Sequence, residues 1–429
     1  MKKVGIFILL IFFCFHISAQ PSDASSGVYL LKASRIFDGE SFRDNIWVLV
    51  INNKIQEVGV PQSFNVPSNA VTIDLKNKLL MPGLIEGHSH LFLHPYNETK
   101  WDDQVLKESR AERTARAVNH AKATLMAGFT TVRDLGTEGA QYDDIGLKTA
   151  IDKGVVPGPR MLVATRAIVA TGAYGPQSAV ADQEVIRGAA EADGEAALIH
   201  EARLQIGKGA DFIKVYADYR WGPHRESLPT FTQEELQKLV NAVQSSGRVV
   251  VAHASTPEGM RRAANAGVRT IEHGDEGTAE IFALMKDKGI GYCPTLAASE
   301  SYEQYGGWKK GSQPEPDRIR EKKKSFSLAL QSGVKICMGG DVGVFTHGEN
   351  WREMELMVEY GMKPIDVLRS ATSVNADMFD MANKIGRIKK GLLADLIALD
   401  GDPGTDIKVL RKIDWVMKDG KLVTSTPSR

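Results

Sequence analysis

Cysteine is scarce in this chain. Its 429 residues hold three, Cys14, Cys293 and Cys337, too few for the disulfide framework of a small secreted domain. Charge of one sign is also lacking. Fifty-three Lys and Arg balance 53 Asp and Glu, for a formal net charge of zero. Without a basic surplus there is no counterion-release drive toward nucleic acid or an anionic membrane surface. No apolar run approaches the roughly 20 residues that cross a bilayer as a helix. Short-period repeats and low-complexity tracts are absent, which excludes solenoids and disordered tails. What remains is a globular composition, 43% hydrophobic and 25% charged, in a chain long enough to bury a large core.

The ends differ from the middle. Lys2 and Lys3 precede the apolar run "VGIFILLIFFCF" and the small-residue stretch "ISAQ". This is the pattern of a secretory signal cleaved after Ala19, and it predicts export, to a periplasm, with no stable membrane span left after removal. Cys14 lies inside the run, so Cys293 and Cys337 are expected as free buried thiols. From residue 20 to 81 the text consists of short strands and turns, with Asn52-Asn53 joining two of them. Residues 384–429 return to that style, and Asp419-Gly420 is a strong hairpin signal. Both ends are expected to build one small β-domain, a β-sandwich, with residues 82–383 inserted between its parts.

The inserted stretch alternates. "TTVRDLG", "RMLVATRAIVA", "DFIKVYAD", "RVVVAHAS", "RTIEHGD", "GIGYCPTL" and "KICMGGDVG" read as strands. Helical patterns separate them, such as "TQEELQKLVNAVQSSG", where Thr232 and Glu235 form a capping box. With "GLIEGHSH" in front, about eight strand–helix units result, the rhythm of an α/β (β/α)₈ TIM barrel. A doubly wound sheet is the other architecture of that rhythm.

Polar residues fall where barrel chemistry sits. His88 and His90 end the first strand at alternate positions, so both rings share one side of an extended chain. His253, His273 and Asp341 end three later strands, and Lys214 stands inside an apolar one. Five strands thus deliver metal-ligand types near their C-terminal ends, the reactive end of such barrels. Imidazole and carboxylate suit zinc, with manganese and cobalt also compatible. A bare ammonium in a barrel tends to lose its proton. Lys214 is therefore either paired with a buried carboxylate or, as a neutral amine, carboxylated by CO₂ into an anionic ligand.

On "GLIEGHSH", "AGFTTVRDLG", "GADFIKVYA", "AHASTPEGMRRAANAGVRTIEHG", "GGDVGV" and "GLLADLIALD", the chain resembles the metal-dependent amidohydrolase superfamily, in its imidazolonepropionase-like and prolidase-like branch. The resemblance covers nearly all of the mature chain. It implies two divalent metal ions. His88 and His90 would hold the first, His253 and His273 the second, and Lys214 as N6-carboxylysine would bridge them. Asp341 would bind the first metal and act as the catalytic base. The implied reaction is hydrolysis of an amide or peptide C–N bond in a small molecule, a dipeptide or an N-acyl amino acid, by metal-activated water. Two departures touch substrate loops. Many relatives read Thr-Gly-Gly-His where this chain reads "TGAYGP", with Tyr174 in the histidine's place. The Ser-Gly-Gly loop of dipeptide-cleaving relatives is here "ADYRWGPHRE". Tyr174, Arg166, Tyr216, Arg220 and His347 are the candidate substrate contacts, and His94, His120 and His200 are expected as plain surface or interhelix residues. Two other readings remain: a cyclic-amide hydrolase with one metal, and a metal- or solute-binding protein without turnover. Nothing in the text opposes a homo-oligomer.

Overall fold

The computed structural model describes residues 27–176 and 182–423. The expected signal segment lies outside the described residues. Among the described residues no helix is long and apolar enough to cross a membrane.

The central body is a (β/α)₈ barrel. Parallel strands Leu84–Ser89, Phe129–Asp134 and Arg160–Val163 form one arc. The second arc runs through Ile168–Val169, Ile213–Tyr216, Val250–Ala254, Thr270–His273 and Gly291–Cys293. A parallel bridge joins Tyr292 to Ile336 and another joins Ser89 to Val342, bringing the eighth segment against the first. The stretch "RMLVATRAIVA" is broken at Thr165, whose φ is +65°, so one expected strand becomes two short pieces.

Helices cover the outside because their apolar residues recur on one face. In Gln233–Gln244 the buried positions are Leu236, Leu239, Val240 and Val243, and the capping box of Thr232 and Glu235 closes its start. Ser109 caps Arg110–Met126, its side chain accepting from the Glu112 N–H. Leu84, Phe129, Ile213, Val215, Ala252, Ile271 and Tyr292 pack with inward helix residues into one core. The charged stretch before Asp317 leads into the helix Asp317–Ser332.

Both chain ends meet in a seven-stranded sheet. Its order places Lys421–Leu422, Trp415–Lys418 and Leu396–Leu399 beside Val71–Pro82, then Val28–Phe37, Phe42–Ile51 and Lys54–Gly59. Asn52, at φ +58°, turns the hairpin between Phe42–Ile51 and Lys54–Gly59; Asp419 at +50° and Gly420 at +70° turn the last. A separate core of Leu31, Ile36, Val48, Ile73, Leu80, Ala398 and Trp415 fills this part. Val71–Pro82 runs from it almost directly into Leu84–Ser89, so a rigid sheet delivers the strand that ends on His88 and His90. Cys293 and Cys337 are free and buried.

Candidate metal centre

Six side chains singled out by their position in the text converge on the C-terminal end of the barrel. His88 Nε2 lies 3.5 Å from Asp341 Oδ1, and His90 Nε2 lies 3.3 Å from the same oxygen. The His88 and His273 ring centroids are 5.0 Å apart, and those of His253 and His273 4.4 Å apart. Lys214 is buried, and its Nζ has no hydrogen-bond partner.

Three of the four imidazoles are oriented through Nδ1. His88 Nδ1 is 3.0 Å from Glu272 Oε2, His90 Nδ1 2.8 Å from the Gly136 carbonyl, and His273 Nδ1 2.9 Å from Thr295 Oγ1. Each Nε2 is thereby left for the space between the rings, the arrangement that aligns histidine ligands on a metal. The fourth, His253, stacks on Tyr216 at 4.5 Å and 16°. Strand register explains the stack, because Tyr216 pairs with His253 across neighbouring strands.

Alternation alone would turn Glu272 and His273 to opposite sides of their strand. His273 adopts φ +74°, a left-handed conformation that costs energy in a non-glycine residue. With that twist both neighbours reach His88. Asp341, at φ +60°, is likewise strained, and its N–H donates to the His88 carbonyl at 2.9 Å. Strain of this kind persists where the surroundings dictate the geometry, as at functional sites.

Several residues that hold the site were not singled out in the text. Glu86 accepts from the N–H groups of His88 (3.0 Å) and Gly340 (2.9 Å) and from Asn350 Nδ2 (2.8 Å). It ties the first strand end to the loop that carries Asp341. Glu272 accepts from Thr270 Oγ1 and from Arg133 Nη2 at 3.0 Å. Asp218 accepts from the Ser255 and Thr256 N–H groups just past His253. Asp134 accepts the Leu91 N–H after His90. A signal for them existed: like Lys214, Glu86, Arg133 and Glu272 are charged residues inside apolar strand text.

The electrostatics follow from burial and close pairing. Burial raises a carboxyl, but the imidazoles of His88 and His90 outweigh it at Asp341, which falls to about 2. Burial raises Glu272 as well, yet Arg133, His88 and Lys214 hold it below the usual carboxylate range. Desolvation takes His88 down to about 4 and the Lys214 ammonium down to about 8. Desolvation pulls His90 down too, but its contact with Asp341 wins and raises it to about 9.

The donor set fits a cation. Ligand atoms of His88, His273 and Asp341 lie within 4.8 Å of one another. A second trio, His88, Glu272 and Cys293, is equally compact. It suits a metal less well, because Glu272 is already engaged by Arg133, Thr270 and His88, and burial pushes the Cys293 thiol well above its ordinary value. The unpartnered Lys214 amine beside the first trio is the further sign of a missing neighbour. Glu272→Gln is expected to weaken metal affinity about 10–100-fold, measured by chelator competition. Unchanged affinity would show that Glu272 does not position His88.

The substrate candidates divide. Tyr174 and Tyr216 are buried beside the metal ligands, 4.7 Å apart. Arg166 donates to the Ala189 carbonyl at 3.1 Å. Arg220, His224 and His200 are exposed. His347 is buried, its Nε2 2.9 Å from the Leu93 carbonyl, and it stacks on His120 at 4.2 Å. His94 is buried, with Nε2 2.7 Å from Glu108.

The chain is similar to known proteins over most of its length. An ochratoxinase of Aspergillus niger is 29% identical over 423 residues, covering 90% of this chain and 84% of that protein. The crystal structure of a Xaa-Pro dipeptidase with bound methionine superposes with a TM-score of 0.79 at 31% identity, over 93% of this chain and 100% of that one. The crystal structure of the A. niger ochratoxinase gives 0.78 at 26% identity, over 93% and 96%. The family model of the amidohydrolase family matches residues 79–423, the whole barrel and the strands flanking it. This chain belongs to the amidohydrolase family and is a hydrolase of carbon–nitrogen bonds.

Proposed function

We propose that the protein is a binuclear metallohydrolase that cleaves the amide bond of a dipeptide or an N-acyl amino acid. The observation that carries this reading is Lys214: a buried amine without a hydrogen-bond partner, on the strand between those that bring Tyr174 and His253. Desolvation lowers the ammonium to about 8, so a neutral fraction of the amine is available near physiological pH to add CO₂. One N–C bond forms as one C–O π bond of CO₂ opens. The ammonium gives up one proton to become the nucleophilic amine and a second after addition, so two protons leave as the cation becomes a carbamate anion able to bridge two metals. His88 and His90 would hold one divalent ion with Asp341, and His253 and His273 the other; zinc is the favoured ion, with manganese or cobalt as substitutes. When bound, the pair supplies Lewis acidity to the substrate carbonyl and brings the pKa of a water toward about 7.

The chain's own groups do the rest. Asp341 is ionised and lies within 3.5 Å of both His88 and His90. Its free oxygen is the proton acceptor for the attacking water and the donor to the leaving amine. Glu272, Gly136 and Thr295 fix the ring orientations, so little reorganisation accompanies the reaction. The Aspergillus relative named an ochratoxinase and the structural relative named a Xaa-Pro dipeptidase support an amide or peptide substrate. We further propose export to the periplasm on the strength of the N-terminal pattern.

The test is a panel of dipeptides and N-acyl amino acids, assayed by release of the free amino acid with metal-depleted and with zinc- or manganese-loaded protein. Turnover that appears only on metal loading is expected. Metal retention without cleavage of any member would instead favour a binding protein.

A further inference from the structure

One buried carboxylate outside the ligand set has half of its accepting capacity unused. Glu138 follows the strand Phe129–Asp134, is 2% exposed, and adopts φ +49°. Its Oε2 accepts from Trp101 Nε1 at 3.0 Å and from the Tyr174 hydroxyl. Its Oε1 has no hydrogen-bond partner and lies 4.0 Å from His90 Nδ1. That nitrogen is already directed at the Gly136 carbonyl, so it does not satisfy Oε1. The nearby buried cation, Arg113, gives its N–H groups to the backbone carbonyls of Phe92, Thr137 and Glu138 and none to the carboxylate.

A buried carboxylate with one oxygen unpaired is costly. A cation delivered to Oε1 would offset that cost. The surroundings suit one. Tyr174 packs against Trp101 at 5.1 Å, Tyr216 at 4.7 Å and Tyr219 at 4.9 Å. The Tyr216 ring continues the wall to His253. Aromatic faces attract ammonium groups, and a carboxylate among them adds charge. This wall leads from the metal ligands to Glu138.

We propose that Glu138, with the tyrosine wall, receives a protonated nitrogen of the substrate, making the enzyme selective for amides that carry a cation close to the scissile bond. The proposal rests on the amide-hydrolase reading above. Two sources offer the same chemistry: the free α-ammonium of the acyl residue, or a basic side chain on the leaving residue.

Four compounds separate them on metal-loaded enzyme: glycyl-lysine, glycyl-norleucine, and the N-acetyl derivative of each. Exchange of lysine for norleucine removes the side-chain cation, and acetylation removes the α-ammonium. The expected result is a kcat/KM advantage of about 100-fold for a cation-bearing member over its neutral counterpart. Glu138→Gln keeps an acceptor for Trp101 and Tyr174 while removing the charge. It should shrink that advantage to a few-fold, chiefly through KM. Tyr219→Leu, at the half-buried end of the wall, should reduce the same ratio and serves if the Gln variant does not fold. Cleavage of all four without preference, or a preference untouched by both variants, overturns this proposal alone. Failure to cleave any of them, or any N-acyl amino acid, overturns the hydrolase reading with it.

Discussion

Lys214→Ala is expected to lower kcat by about 1,000-fold or more and to leave the folded protein with one tightly held metal per chain in place of two. The reasoning starts from sterics and charge. Lys214 sits between the Tyr174 and His253 sides of the barrel, fully enclosed, and nothing accepts from its Nζ. If it were only a buried cation, a carboxylate would be paired with it, and removing it would strand that partner. The acid that acts on it most strongly, Glu272, is committed to Arg133, Thr270 and His88. Alanine therefore removes an amine whose value lies in what it becomes on carboxylation. Lys214→Glu supplies a shorter permanent anion and is expected to recover part of the second metal and part of kcat. An alanine variant with two metals and near wild-type turnover would remove Lys214 from the centre.

Asp341→Asn is expected to keep most of the bound metal and to lose about 100- to 10,000-fold in kcat. Asparagine keeps the size and one acceptor oxygen facing His88 and His90 but cannot take up a proton. Asp341 is held ionised, at about 2, by the two imidazoles that face it. Its strained φ of +60° places it there, and Glu86 and Asn350 brace the loop from behind. Metal analysis of the purified variant separates the two roles. Intact metal with lost turnover assigns proton transfer to Asp341, whereas lost metal with lost turnover would make it a ligand first. Near wild-type turnover would exclude it as the base.

Much of this site is legible in the amino-acid text because metal ligation demands unusual residue types at strand ends. His88, His90, His253, His273 and Asp341 all stand at such ends, and Lys214 betrays itself as a charge in an apolar strand. The supporting acids were less visible for differing reasons. Glu272 is adjacent to His273, and strict alternation sends it to the other side; only the left-handed turn at His273 brings both to His88. Glu138 lies past the end of its strand, and its partners Trp101 and Tyr174 are distant in sequence. The loop that carries His347 marks it as a candidate substrate contact, while its stacking on His120 involves a helix whose approach no local pattern reveals. The hairpins at Asn52 and Gly420 and the cap at Thr232 were legible because each depends on a few adjacent residues. The break at Thr165 was not, since nothing local distinguishes a long strand from two short ones.

Crystals of the zinc-reconstituted protein, measured at the zinc absorption edge, test the central claim most directly. The account predicts two anomalous peaks, one among His88, His90 and Asp341 and one between His253 and His273, with electron density extending beyond Lys214 Nζ to touch both. A single peak with a bare Lys214 amine, or two peaks away from these six side chains, would contradict it.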